Sequence, residues 1–171
     1  MKKISYTILF SILFFLLSEN ISAQFKWAEI GVDGLTCSAC TRAVEMNIRK
    51  LDFVDSVAMN LENKEGKIIF KAGKKVNIEK IAQAVFDAGF SVRYLKAAFM
   101  FDNLSISNGF NWTNDTEQYC FVKAENKILN GETMLTFIGE KFMPSKQYRT
   151  WKKKIIECCS VNKKKVYYIT I

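Results

Sequence analysis

The sequence predicts an α+β protein, in which a ferredoxin-like βαββαβ domain is followed by a small β-rich domain with one helix. Between residues 26 and 96, strand-like and helix-like apolar patterns follow one another in the order βαββαβ. Beyond residue 96, short strand-like runs alternate with turn signals, and one helical pattern follows the only proline, Pro144. We therefore expect domains at residues 24–96 and 97–171, after an N-terminal segment that is not part of the fold.

That N-terminal segment, residues 1–23, has the features of a secretory signal peptide. Lys2 and Lys3 precede a short apolar run over residues 8–17, and the small residue Ala23 ends a suitable cleavage site. The apolar run is shorter than the about 20 residues that a membrane-spanning helix needs. An uncleaved signal anchor is the alternative. We expect a periplasmic or secreted chain with no stable membrane span after signal removal.

The first domain is expected to contain four strands and two helices. An Asp33-Gly34 turn follows the first strand, Asn77 caps the second helix, and Gly89 ends it. Val44, Ile48 and Leu51, with Ala43 alongside, form the apolar stripe of the first helix; Ile78, Ile81, Ala82, Val85 and Phe86 form that of the second. The predicted bounds are strand 26–32, helix 38 to about 51, strand 54–59, turn 63–66, strand 67–71, helix 78–88 and strand 90–95.

The second domain is expected to be mainly β-structure. Asn130-Gly131 between two apolar pairs predicts a two-residue hairpin turn. A helix should run from about Ser145 to Cys158, with Tyr148, Trp151 and Ile155 on one side. The remaining expectations are strand 98–105, a turn at 108–109, a polar loop at 112–117, strands 119–123 and 127–129, and strand 166–171.

The most informative motif is Gly34-Leu35-Thr36-Cys37-Ser38-Ala39-Cys40, at the entry to the first helix. Two cysteines at this spacing can turn their sulfurs toward one point. A helix start offers unpaired N–H groups and a positive dipole end, which favour thiolate over thiol. A pair of thiolates suits Cu(I) and other thiophilic ions, and does not suit Mg²⁺ or Ca²⁺.

From this motif to Asp87-Ala88-Gly89-Phe90, residues 26–96 resemble the heavy-metal-associated domain. That family includes copper chaperones, modules of copper-exporting ATPases and periplasmic mercury-binding proteins. Leu35 stands where the family usually has Met, at a position that packs beneath the metal loop, and Phe90 matches bacterial members. Residues 97–171 resemble no family known to us.

The resemblance implies an exported protein that binds and transfers a soft metal, with Cys37 and Cys40 as its ligands. Cu(I) is the favoured ion, and Hg(II), Zn(II) and Ag(I) are alternatives. A scavenger of mercury or another thiophilic metal would use the same two cysteines and is an alternative function. The partner would be a metal-transporting or metal-receiving protein with its own thiolate site. A redox pair is a further alternative, but thioredoxin-like enzymes typically carry Trp where this chain has Thr36, and a cis-proline that the first domain lacks.

Alternatively, the C-terminal half could be the working part, as an interaction or assembly module. The metal domain would then act as a sensor or recruiter for it. Its surface would combine the basic run Lys152 to Lys154 with the aromatics Tyr148 and Trp151. The lysine runs at 152–154 and 163–165 could contact nucleic acid or anionic lipid, but export argues against nucleic acid, and solvated faces explain both runs. Since the chain has no histidine, Ser-His-Asp and Cys-His catalysis are excluded, and we expect no enzymatic activity.

Five cysteines in an exported chain leave at least one thiol without a partner inside the chain. If Cys37 and Cys40 hold metal, Cys120 should pair with Cys158 or Cys159, leaving one over. Alternatively, Cys158 and Cys159 could form a second soft-metal site with Cys120 or a methionine. A buried free cysteine also behaves as a small hydrophobe, which is sufficient to explain both residues.

Overall fold

The computed structural model describes residues 25–114, 117–159 and 166–171. The predicted signal peptide and the lysine run at 163–165 lie outside the described residues. One eight-stranded sheet runs through the described part, in the strand order β2-β3-β1-β4-β7-β8-β6-β5. The elements are β1 (Phe25–Asp33), α1 (Ser38–Arg49), β2 (Val54–Asn60), β3 (Glu65–Phe70), α2 (Ile78–Asp87), β4 (Ser91–Ile106), β5 (Asn111–Asn114), β6 (Glu117–Phe121), β7 (Lys127–Ile138), α3 (Ser145–Cys158) and β8 (Val166–Thr170).

The first half has the expected βαββαβ order. β1 pairs antiparallel with β3 and β4, and β3 pairs antiparallel with β2, which gives the arrangement of a ferredoxin-like fold. The side chains of Ile30, Val44 and Val85 are fully buried in one core, which joins β1, α1 and α2. This core fixes the end of β1 and the start of α1, where the cysteine motif lies.

The predicted apolar stripes of the two helices are wrong at two positions. Ala43 is exposed, and Phe86 is 37% exposed. The buried positions are instead Thr41 in α1 and Ala84 in α2. Neighbours in a helix point about 100° apart, so Ala43 cannot share the direction of Val44.

β4 crosses the boundary that we expect between residues 96 and 97. It is one strand of 16 residues, where the sequence predicts two shorter ones. Its first part pairs with β1, and its second part pairs with β7. The sheet is therefore continuous between the two halves, and their division into separate domains stays a prediction.

The second half of the sheet curls back on itself. β5 is the last strand in the sheet order, yet the ring of Trp112 lies 4.6 Å from that of Phe99 in β4 and 5.1 Å from that of Phe101. Phe25 of β1 packs into the same aromatic interior, against Phe99 and Tyr119. Strands β4-β7-β8-β6-β5 thus curl around an aromatic core.

The loop predicted at 112–117 is wrong where the structure describes it. Residues 111–114 form β5, which pairs with β6, and β6 begins at Glu117. Polar residues alternate with half-buried ones in β5, the pattern of a strand with one solvated face. Polar composition alone does not distinguish such an edge strand from a loop.

The hairpin predicted at Asn130-Gly131 is also wrong, because β7 runs straight through this dipeptide. Asp102 and Asn103 of β4 together stand opposite Asn130, which makes a β-bulge between the two strands. Asn103 and Gly131 have φ angles of 48° and 82°. The positive φ that favours Asn-Gly in a tight turn is used here to bend a long two-stranded ladder.

α3 has the predicted bounds and lies over the outer face of the curled strands. Its apolar residues Tyr148, Trp151 and Ile155 pack in a second cluster with Val122 and Ile138. Among the described residues, no helix is both long and apolar enough to cross a bilayer.

Candidate metal centre

The cysteine motif is held from below by a buried leucine. After β1, Gly34 adopts a φ of 89°, which lets the chain turn at the end of the strand. Leu35 is then completely buried, whereas Thr36 and Cys37 are exposed. Phe90 flanks this turn: a Cβ added to Gly34 would lie 3.4 Å from the Phe90 ring. The loop is therefore anchored at one side chain and presents the next two residues to solvent.

Cys37 is the N-cap of α1. Its backbone is extended, and its Sγ accepts a hydrogen bond from the Cys40 N–H at 3.3 Å. Its carbonyl accepts from the Thr41 N–H and from the Thr41 hydroxyl, each at 3.1 Å. The sulfur thus takes the position that a Ser or Asp oxygen holds at other helix starts. That hydrogen bond pairs one of the backbone N–H groups that a helix start leaves without a partner.

Cys40 lies one turn into the helix and is partly exposed. A hydrogen bond with the Cys37 side chain lowers the pKa of the Cys40 thiol, and hydrogen bonds from Thr36 lower that pKa further. Burial of the thiol acts against these hydrogen bonds, but the pKa still falls below its ordinary value. The structure brings both predicted ligands together as free thiols, with the more exposed one at the helix cap.

Within the described residues, no group of three or more Cys, Asp or Glu side chains is placed to hold a metal ion. The centre therefore offers two sulfur ligands and an open side that faces solvent. Such a pair can bind an ion that accepts two-coordinate sulfur, and it leaves space for a further thiolate.

Beside the motif, α1 and β2 border a shallow groove of about 690 Å³. Apolar side chains contribute much of its lining, including Ala39, Leu61 and Met46, which is 52% exposed. Arg42 lies at the same groove, and Arg49 forms an ion pair with Glu45. Our sequence reasoning did not identify this groove, since Met46 and Leu61 belong to separate elements.

Our sequence reasoning also missed the role of Cys37 as an N-cap. The signal was present, because the helix was predicted to begin at Ser38 and the residue before a helix supplies its cap. Cysteine is not among the usual cap residues, so a search for Ser, Thr, Asp or Asn passes over it.

The predicted cysteine pairing in the C-terminal half is confirmed. Cys120 of β6 forms a disulfide with Cys159, and Cys158 is the cysteine left over. The alternative of a second soft-metal site, with Cys120 or a methionine as third ligand, does not fit this state, because the Cys159 sulfur is bonded to Cys120.

The surface suggested for an interaction module is partly used inside the fold. Tyr148 and Trp151 pack against the second apolar cluster, and the Lys154 ammonium lies 4.7 Å from the centre of the Trp151 ring. Lys152 and Lys153 are exposed. The aromatic residues therefore hold α3 against the sheet.

The fold and the site define a class of protein. A ferredoxin-like half presents two neighbouring thiols at the start of its first helix, while the rest of the chain extends the same sheet. A sequence profile described as the heavy-metal-associated domain matches residues 29–91.

Individual relatives agree with this profile. The copper chaperone CopZ of Bacillus subtilis (strain 168) is 39% identical over 61 residues, which are 36% of this chain and 87% of that protein. The mercuric transport protein periplasmic component of Pseudomonas fluorescens is 36% identical over 68 residues, 40% of this chain and 74% of that protein. The chain belongs to the heavy-metal-associated domain family.

A longer relative matches only in this segment. Copper-transporting ATPase 1 of Rhizobium meliloti (strain 1021) is 37% identical over 70 residues, which are 41% of this chain but 8% of the ATPase. The similarity is therefore to a small part of that enzyme.

Proposed function

We propose that the protein binds a soft metal ion through Cys37 and Cys40 and passes it to a partner protein. One observation supports this most directly: the Cys37 sulfur caps α1, accepts the Cys40 N–H, and lowers the pKa of the Cys40 thiol. The lowered pKa favours the thiolate form of Cys40, which is the ligand form that soft cations require. Cys37 supplies the second sulfur beside it.

Cu(I) is the ion that we propose as the natural cargo. Zn(II) is usually held by four ligands in structural sites, and by three protein ligands in catalytic ones, whereas this centre supplies two. The relatives named above include a copper chaperone and a mercuric transport protein, so Hg(II) is the second candidate. Ag(I) would use the same two sulfurs.

Transfer would proceed through sulfur exchange at the open side of the centre. An incoming partner thiolate would bind the ion beside the two protein sulfurs, after which Cys37 or Cys40 dissociates. The exposed Cys37 and the adjoining groove with Met46 give a partner direct access. No free ion is released at any point of such an exchange.

The test is an anaerobic Cu(I) titration of the purified protein, in competition with a chromogenic chelator. We expect one tightly held Cu(I) in the native protein. Changing Cys37→Ser and Cys40→Ser together should weaken binding by several orders of magnitude. Cys158→Ser is the matched control, because it removes the third free thiol, and it should leave the affinity unchanged. Equal Cu(I) affinity of the native and doubly substituted proteins would disprove the site.

The choice between copper and mercury needs a separate experiment. Cu(I)-loaded protein should transfer its ion to a thiolate-bearing copper-receiving domain faster than to a small chelator of equal affinity. A protein whose purpose is mercury capture would show no such preference for the protein acceptor.

We also propose that the chain is exported and that residues 1–23 are removed. The support is the pattern of two lysines, an apolar run and a small residue at position 23. Mass spectrometry of the protein from fractionated cells should give a chain that begins at Gln24. A full-length chain confined to the cytoplasm would contradict the proposal.

A further inference from the structure

Three cysteine sulfurs lie together where α3 meets β6. The Cys158 thiol lies 3.5 Å from the Sγ of Cys159, and Cys159 is bonded to Cys120. The side of this cluster that meets solvent is Cys158, which is partly exposed. Cys120 is 0% exposed and Cys159 is 4% exposed. Cys158 is therefore the cysteine of this cluster that is most open to solvent, whereas the disulfide is buried.

The position of Cys158 is fixed from more than one side. It is the last residue of α3, and its thiol is directed toward the carbonyl of Ile155 at 4.0 Å. The turn at Gly109 packs directly on the Cys158 carbonyl, and a Cβ at position 109 would overlap that oxygen. The Gly109 N–H in turn donates to the Phe121 carbonyl of β6 at 2.7 Å. The free thiol is thereby held beside the disulfide that β6 carries.

A thiol in van der Waals contact with a disulfide sulfur is placed for exchange, since disulfides open by attack of a thiolate on one of their sulfurs. We propose that Cys158 is an exchange thiol, through which low-molecular-weight thiols and disulfides reach the buried Cys120–Cys159 bond. This activity concerns a different part of the chain from Cys37 and Cys40, and it does not depend on metal binding.

Reduction would proceed in three balanced steps. The Cys158 thiolate attacks the Cys159 sulfur, the bond to Cys120 breaks, and Cys120 leaves as a thiolate that takes up a proton. An external thiolate then attacks the accessible Cys158 sulfur and releases Cys159. A second external thiol removes the first as a disulfide and regenerates the Cys158 thiol. In sum, two external thiols are oxidised to one disulfide, and one protein disulfide becomes two thiols.

The same steps in reverse give a route for oxidation. An external disulfide forms a mixed disulfide with Cys158, Cys159 displaces the external thiol, and Cys120 then displaces Cys158. The partly exposed cysteine thus carries oxidising equivalents to two cysteines that solvent does not reach.

The test compares reduction rates of the folded protein in reduced glutathione, with Cys37→Ser and Cys40→Ser present throughout so that only the three-sulfur cluster reacts. Samples are quenched by alkylation, and each cysteine is assigned by peptide mass spectrometry. We expect Cys158→Ser to slow the opening of the Cys120–Cys159 bond by at least about tenfold, because direct attack must await local unfolding. With Cys158 present, a glutathione adduct should accumulate on that residue.

The control is the same pair of proteins in denaturant, where all sulfurs are exposed and the two rates should converge. Equal rates for the two folded proteins, or a glutathione adduct first found on Cys120, would overturn the proposal. Amide hydrogen exchange of β6 tests whether the substitution slows reduction merely by stabilising β6. If Cys158→Ser protects β6 more strongly by the same factor as it slows reduction, the slower rate reflects stability, and the exchange role is disproved.

Discussion

Cys37 combines a structural and a chemical role in one side chain. As N-cap it pairs the Cys40 N–H, and as a free thiol it is the exposed half of the proposed ligand pair. A metal ion that takes electron density from this sulfur would leave the helix cap weaker, so metal loading and the first turn of α1 are coupled at a single atom.

The two thiols with shifted pKa values should react in a definite order as pH rises. The pKa of Cys40 is lowered, first by the hydrogen bond with Cys37, whereas burial raises the pKa of Cys158. Since alkylation requires thiolate, Cys40 should be labelled at a lower pH than Cys158. Pulse alkylation across a pH series, read by peptide mass spectrometry, measures both profiles.

The Cys37→Ala variant provides the control for that order. It removes the side-chain hydrogen bond that contributes most to the shift and supplies no replacement, so the labelling profile of Cys40 should move to higher pH while that of Cys158 stays in place. A Cys40 profile that does not move would show that the Cys37 side chain is not the cause.

Gly109 is a second residue whose role can be isolated. Gly109→Ala meets both a positive φ of 78° and an overlap with the Cys158 carbonyl, whereas Gly73, at a φ of 73°, has nothing within 4 Å of an added Cβ. We expect Gly73→Ala to cost about 1 kcal/mol of unfolding free energy from backbone strain alone, and Gly109→Ala to cost distinctly more. Thermal unfolding of both variants measures the difference, and equal losses would contradict the packing described at Cys158.

At the scale of elements, the helices were the best predicted parts of the chain. α3 begins and ends where Pro144 and the apolar spacing indicate, and the Asn77 side chain accepts from the Lys80 N–H at 3.1 Å as the predicted cap of α2. Helix ends depend on local chemistry that neighbouring residues supply, and therefore the sequence shows them directly.

The cap of α2 gives a prediction at this scale. Asn77→Ala should destabilise the protein by about 1 kcal/mol, because the Lys80 N–H loses its side-chain acceptor. Asn77→Asp keeps an acceptor oxygen and adds a charge that suits a helix N-terminus, so it should retain the stability. Chemical denaturation of the three proteins compares them, and an Ala variant as stable as the Asp variant would argue against the cap.

Strands were predicted less well, because their ends depend on distant partners. At Asn130-Gly131, two residues of β4 stand opposite one residue of β7, so the dipeptide lies at a β-bulge and not in a hairpin turn. The sequence around Asn130-Gly131 does not reveal this pairing with a distant strand. Likewise, the polar segment at Trp112 becomes a strand only because β6 pairs with it. The placement of Cys37 and Cys40 at the start of α1 was predicted well for the opposite reason, since both cysteines and the helix that orients them lie within one short segment.

At the scale of the whole molecule, one residue joins the two halves. Phe25 belongs to β1, yet its ring lies 5.1 Å from Phe99, 6.3 Å from Tyr119 and 6.0 Å from Phe137. The first strand of the ferredoxin-like half therefore contributes to the aromatic core of the curled half.

Phe25→Ala should consequently loosen both halves, at a cost of about 3–5 kcal/mol. Phe53→Ala is the matched control, because Phe53 is equally buried but contacts Phe70 in the first half. Hydrogen exchange should rise in β6 and β8 for Phe25→Ala, and stay near native values there for Phe53→Ala. If exchange in β6 and β8 is unchanged in both variants, the halves are energetically independent, as the predicted division at residue 96 would require.

The position of β8 in the sheet has a consequence for the order of events during synthesis. β8 lies between β7 and β6, parallel to one and antiparallel to the other, although both neighbours precede it in the chain. β4 can pair with β7, and β5 with β6, before β8 is made, but only β8 joins these two pairs of strands. The curled half is therefore complete only after β8 has been translated, whereas the half that carries Cys37 and Cys40 has its own four strands by the time β4 emerges. A chain with this strand order completes its ferredoxin-like half early and its aromatic core late.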